Sequence, residues 1–128
     1  MHTHHLSSLK VNKNTVALKA FFQITQQWEL TAEQERILLG ATPATFYRWK
    51  KKKEGSLTQD TLERISYILG IYKAIRILLP TKEAADQWIK KPNNAPLFGG
   101  KSALDKLLVG RVVDLADVRR YLDAERGG

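Results

Sequence analysis

Apolar residues recur at helical spacing along most of this 128-residue chain, and strand-like alternation is nearly absent. The first run is TVALKAFFQITQQW, where Val16, Ala20, Phe21, Ile24 and Trp28 fall three or four apart behind a capping residue, Asn14. The second, TAEQERILL, opens on Thr31 with Gln34 three positions on. At that spacing hydroxyl and amide each satisfy an orphan backbone N–H. Gly40 then suits the left-handed position just past the helix. Thr42 before Pro43 opens a third run, PATFYRWKKK, because proline is preset for the first helical position and its missing N–H costs nothing there. This run is expected to fray before Gly55.

Thr58 opens the longest pattern, QDTLERISYILGIYKAIRILL, stopped by Pro80. Its apolar positions (Leu62, Ile65, Ile68, Leu69, Tyr72, Ile75, Leu79) cover more than one stripe, which predicts a central, mostly buried helix. Gly70 leaves a kink or a division open. Beyond Pro80, Thr81 starts a short helix through Trp88 and Ile89 that Pro92 ends. Ser102 with Asp105 makes another capping box, Gly110 closes that helix, and Asp114 with Asp117 repeats the spacing before the last one. The fold class is therefore all-α, with an N-terminal helix-turn-helix domain packed against a small C-terminal helical domain. Residues 1–13 read as a disordered or frayed tail, 14–79 as the first domain and 80–128 as the second. No flexible linker separates the halves at Pro80, so a continuous interface is expected there.

Composition narrows the function. Hydrophobic content of 43% with three tryptophans is enough for a core. No apolar stretch approaches the roughly 18 residues of a membrane span, and MHTHHLSSLKVNKN lacks the apolar centre of a signal peptide. The absence of cysteine excludes disulfides, thiolate metal sites and a thiol nucleophile, and fits a reducing cytosol. The net charge of +8 is uneven. Residues 1–79 carry 12 Lys/Arg against 6 Asp/Glu, and residues 80–128 carry 9 against 7. A polyanionic partner is expected to engage the first part.

Residues 31–52 have the outline of a helix-turn-helix, whose second helix enters the major groove. Phe46 and Trp49, three apart, are expected to face the core, leaving Thr45, Arg48 and Lys52 on another face. Arg48 suits a bidentate pair with guanine, while Lys50, Lys51, Lys52 and Lys53 suit phosphates, which position without specifying. Thr42 and Tyr47 complete the candidate DNA-binding set. The plain alternative is a solvated basic helix end favoured by the helix dipole.

Catalytic patterns are not met. GGKS at Gly99–Ser102 lacks the glycine that a phosphate-binding loop needs five residues before Gly100, where Ala95 stands, and a Pro/Asn loop precedes it instead of a strand. His2, His4 and His5 lie in a polar terminus without structured carboxylates or thiolates, so no metal site is expected. With every histidine there, no Ser/His/Asp arrangement exists, and no enzyme and no cofactor are expected. The acidic residues of the second half read as caps. In the loop, Trp88, Pro92, Asn93, Phe98 and Gly99 form a structural set. Trp88, Leu97 and Phe98 pin it to the core, and Asn93 or Asn94 supplies turn hydrogen bonds.

Four stretches carry a family resemblance: TFYRWKK in the third helix, LERISYILGIYKAIRILLP across the junction, WIKKPNNAPLFGGKSALDKLLVG through the loop, and VRRYLDAERGG at the end. From about Ala17 onward the chain resembles the Xre/MbcA/ParS antitoxins. The resemblance implies an Xre-like DNA-binding domain that represses its own operon. It also implies a toxin-binding domain that blocks the active site of a RES-domain toxin. Any NAD would belong to that toxin. It further implies a homodimer within a larger complex, in the cytoplasm and on the nucleoid when bound to double-stranded operator DNA. On this footing Lys101, Arg119, Arg120, Leu122, Arg126, Gly127 and Gly128 are the candidate toxin contacts. A slim Gly-Gly end enters a narrow pocket, and arginines pair with carboxylates there. The competing expectation is a helix-turn-helix regulator whose C-terminal half dimerises or binds an unrelated protein.

Overall fold

The helix starts show how local chemistry divides this chain. In a computed structural model describing residues 2–52 and 55–127, the side chains of 2–12 excepted, the helices are α1 (His2–Gln27), α2 (Ala32–Leu39), α3 (Pro43–Lys52), α4 (Gln59–Leu78), α5 (Lys82–Trp88), α6 (Ala103–Leu107) and α7 (Val112–Glu125). No strand occurs among the described residues. Thr31, Thr58, Thr81 and Ser102 each accept a hydrogen bond from the backbone N–H three residues on, at 3.1–3.2 Å. Both capping boxes close, Thr31 with Gln34 and Ser102 with Asp105. Each such cap contributes about 1 kcal/mol.

Two expectations are corrected and one open question is narrowed. Asn14 is not a cap, since α1 already runs from His2. A capping residue starts a helix only where something stops it from propagating, and no proline or glycine stands between His2 and Asn14. Val16 lies 65% exposed, outside the core stripe, which Leu18 joins instead. Asp114 is no cap either: Arg111 holds that position without a side-chain bond, and Asp114 is buried inside α7. Gly70 does not divide α4, which is continuous.

The core follows from these placements. Phe21 of α1 and Trp28 just beyond its end, Leu38 and Leu39 of α2, and Phe46 and Trp49 of α3 bury against Ile65 and Ile68 of α4. On the other side Ile89, Leu107, Leu115 and Val118 continue the same apolar cluster. Helix α4 is common to both halves. It packs on α1 and α2 and, most broadly of all the helix pairs, on α7. Its more-than-one-stripe pattern reflects this double duty.

Candidate nucleic-acid and partner-binding surfaces

Helices α2 and α3 meet across Gly40, which adopts a left-handed φ of 66°. Phe46 and Trp49 turn inward, and their burial fixes which face of α3 is left over. That face carries Arg48, Lys51 and Lys52, all exposed, with Thr42 at its start, Tyr47 at 58% exposure and Thr45 half-buried. Lys53 lies outside the described residues. The guanidinium and two ammonium groups thus project from the end of a helix whose opposite side is anchored, an arrangement able to meet phosphates and base edges.

Lys50 departs from that set. Its ammonium pairs with Glu35 of α2 and lies 5.7 Å from the ring centroids of both Phe22 and Phe46. Glu35 is buried and also accepts from the Thr25 hydroxyl. A buried carboxylate needs compensation, and Lys50, one turn beyond Phe46, is within reach. The sequence carried a signal for this: Glu35 shares a helical stripe with Leu38 and Leu39.

The second half is organised by its loop. Asn93 donates its N–H to the Lys101 carbonyl at 3.0 Å, accepts from the Gly100 N–H at 2.9 Å, and takes the Ala95 N–H on its side-chain oxygen at 2.9 Å. Of the two asparagines, Asn93 therefore supplies the turn bonds described. Phe98 is buried, with its ring edge-on to half-buried Trp88 at 6.1 Å and to Tyr121 of α7 at 5.0 Å. Pro92 and Gly99 sit at the surface, and Pro92 bridges to Ser102. The loop thereby pins α7 to the end of α5.

The candidate toxin contacts divide. Lys101, Arg120, Arg126 and Gly127 are exposed. Arg120 pairs with Asp117 at 2.9 Å, and Arg126 stands 3.8 Å from Asp123. Gly128 lies outside the described residues. Leu122 instead belongs to the core, four residues after Val118 on the buried stripe of α7. Arg119 reaches back over α4. It is held by both oxygens of Asp123 at 3.0 and 3.1 Å, with its guanidinium in the space that a side chain at Gly70 would fill. Near Leu122 a cleft of about 240 Å³ opens between Leu78, Leu79, Trp88, Tyr121 and Glu125. It is a mainly apolar recess beside the exposed end of α7.

The corner between α6 and α7 is held by charge. Asp114 is fully buried and accepts from Lys106 Nζ at 2.8 Å and from Arg111 Nε and Nη2 at 2.8 and 2.9 Å. The Arg111 hydrogen bonds, followed by that from Lys106, hold its carboxyl well below the usual carboxylate range although burial opposes this. Asp114 in return raises Lys106 and Arg111 through the same bonds. Sequence reading missed this cluster, although an aspartate immediately before the apolar Leu115–Val118 stripe was a sign of it. Among the described residues no group of His, Asp or Glu is placed to hold a metal ion, and no helix is long and apolar enough to cross a membrane.

Comparison with known proteins finds a match for each half of the chain. The antitoxin Xre-like helix-turn-helix domain matches residues 9–70, and the antitoxin Xre/MbcA/ParS C-terminal toxin-binding domain matches residues 74–128. The two matches meet within α4. An uncharacterized protein, y4oB, of Sinorhizobium fredii (strain NBRC 101917 / NGR234) is 53% identical over 112 residues, covering 87% of this chain and 84% of that one. With a helix-turn-helix ahead of a toxin-binding helical half, the chain belongs to the Xre/MbcA/ParS family of antitoxins.

Proposed function

We propose that this chain is the antitoxin of a type II toxin–antitoxin pair, neutralising a RES-domain toxin and repressing its own operon as a cytoplasmic homodimer. The carrying observation is the match of residues 74–128 to a toxin-binding domain that ends in α7, whose last turn projects beyond the Phe98–Tyr121 contact. Arg120, Arg126 and Gly127 are exposed there, next to the apolar recess at Trp88 and Tyr121. In this reading the tail enters the toxin's active-site cleft, where the arginines meet carboxylates and the glycines fit a narrow passage. Arg119 and Leu122 support the helix from behind. The chain brings no cofactor of its own; NAD belongs to the toxin. Arg48 reads a base in the operator, and Lys51 and Lys52 hold phosphates, with two copies addressing half-sites about 34–36 Å apart.

Affinity capture from the native host with the full chain as bait tests this. One stoichiometric RES-domain partner, toxic when expressed alone and silenced by co-expression, is the expected result. A chain ending at Leu122 should still fold and should lose neutralisation. Full neutralisation by that shortened chain would remove the tail from the mechanism. Recovery of DNA with no protein partner would leave a plain regulator.

A further inference from the structure

Arg64 of α4 is 9% exposed, and its guanidinium touches both halves of the chain. Nε donates to Asp60 Oδ2 at 2.9 Å, one turn back, which orients the group. Nη1 then donates to the carbonyl of Gly110 at 2.9 Å and, more weakly, to that of Ile37 at 3.4 Å. Ile37 lies in the last turn of α2, the first helix of the helix-turn-helix, and its carbonyl, which already accepts from the Gly40 N–H at 3.1 Å, takes Arg64 as a second donor. Gly110 is the turn between α6 and α7. One cation therefore satisfies acceptors from the region matched as DNA-binding and from the region matched as toxin-binding.

The surroundings are built to this contact. A Cβ on Gly40 would come within 2.7 Å of the Arg64 guanidinium, and one on Gly110, whose φ is 91°, within 3.3 Å of Ile37 Cγ2. The helix end, the arginine and the turn interlock without space for another side chain. On its far side the same turn is fixed by Asp114 holding Arg111 and Lys106. The direction of α7 is thus set against the end of α2, and the end of α2 sets α3.

We propose that Arg64 is the positioning residue through which each half responds to the other, so that a partner seated on α7 changes the affinity of α3 for DNA. The proposal rests on the toxin-facing reading of α7 and the DNA-facing reading of α3. A load on α7 reaches Gly110, and Arg64 passes it to α2 through the carbonyls it shares. Such a coupling is reciprocal, so DNA on α3 changes toxin affinity by the same factor.

The test compares the full-length chain with Arg64→Met, which keeps apolar volume and loses the donors, and with Arg64→Lys, which keeps a cation. Hydrogen exchange on the free protein comes first. Arg64→Met should speed exchange at Gly40–Ala41 and at Gly110–Asp114 together by about tenfold, as expected for losing hydrogen bonds from a charged group. The capped turns at Thr81 and Ser102 should not change, and Arg64→Lys should fall between. Faster exchange on one side only, or on neither, overturns the lock. Binding of a duplex from the chain's own upstream region is then measured with and without the captured toxin. The toxin should shift wild-type affinity by about fivefold or more. In Arg64→Met that shift should collapse, with each separate affinity retained. Equal shifts in both proteins overturn the coupling. If the wild-type chain binds neither toxin nor duplex, the proposed function fails while the exchange result still decides the lock. Should Arg64→Met fail to fold, Arg64→Lys carries both measurements.

Discussion

Lys50 and Lys51 are neighbours in a run of lysines, yet their ammonium groups meet different surroundings. Lys51 is exposed, whereas Lys50 neutralises the buried Glu35. A sequence shows the charge of a helix end but not which of its members turns inward, because that depends on a carboxylate fifteen residues away. Lys51→Ala should weaken operator binding about equally across sequences and lower the salt-dependence slope by about one. Lys50→Met should leave that slope unchanged and cost about 2 kcal/mol of stability by removing the cation from buried Glu35, which keeps the Thr25 hydroxyl. That cost is below the fully buried case because Lys50 is 40% exposed. Anisotropy titrations across a salt series, beside urea melts, separate the two. Asp114 gives a pH prediction. Its folded carboxyl is held below the ordinary range, so the unfolded chain takes up the proton first as pH falls. Its contribution is therefore complete above about pH 5 and is lost progressively as pH falls below about 4, toward the folded value. Asp114→Asn should cost about 3 kcal/mol at pH 7. The gap to wild type should narrow between pH 4 and 2 in urea-midpoint measurements.

Among the elements, starts marked by Thr or Ser with the right third residue were legible, because a capping box is satisfied by four neighbouring residues and needs no tertiary partner. The helix-turn-helix outline and the Asn93 turn of the loop were legible for the same reason. Where the deciding contact came from another element, the reading failed. Asp114 looked like a cap until Lys106 and Arg111 claimed it, and of the residues that looked like free contacts Leu122 is buried in the core and Arg119 lies over Gly70, held by Asp123. Two glycines show how the neighbour decides the outcome of a substitution. A Cβ on Gly55, at φ 153°, would sit 2.5 Å from the rigid Trp49 indole, so Gly55→Ala should destabilise the exit of α3 by about 2 kcal/mol. The three atoms nearest to a Cβ on Gly70 all belong to the long, flexible side chain of Arg119, and alanine is favoured within a helix by about 1 kcal/mol. Gly70→Ala should therefore stay within about 1 kcal/mol of wild type while releasing Arg119 toward solvent. Thermal melts of the two variants should differ clearly, and equal losses would contradict the geometry.

The whole molecule is organised around α4 rather than around Pro80. Proline punctuates the chain, but the face of α4 that ends at Leu78 is covered by a helix that begins thirty-four residues later, at Val112. The two family matches likewise meet inside α4, between residues 70 and 74. The long apolar pattern of α4 was the legible sign that it serves two neighbours; which neighbours they are was not written locally. Ile71 and Ile75 are fully or almost fully buried, and α7 provides the broadest packing partner of their helix. A fragment ending at Leu79 would expose this apolar surface, at a cost of about 25 cal/mol per Å² uncovered. It would also lose the Gly110 acceptor of Arg64. The halves should therefore unfold together. Calorimetry of the full chain should give one transition with equal calorimetric and van't Hoff enthalpies. The fragment of residues 1–79 should show no cooperative melt and should aggregate. A well-resolved melt from that fragment, with the full chain showing two transitions, would mean that α4 belongs to the first half alone and that no mechanical route from α7 to α3 runs through it.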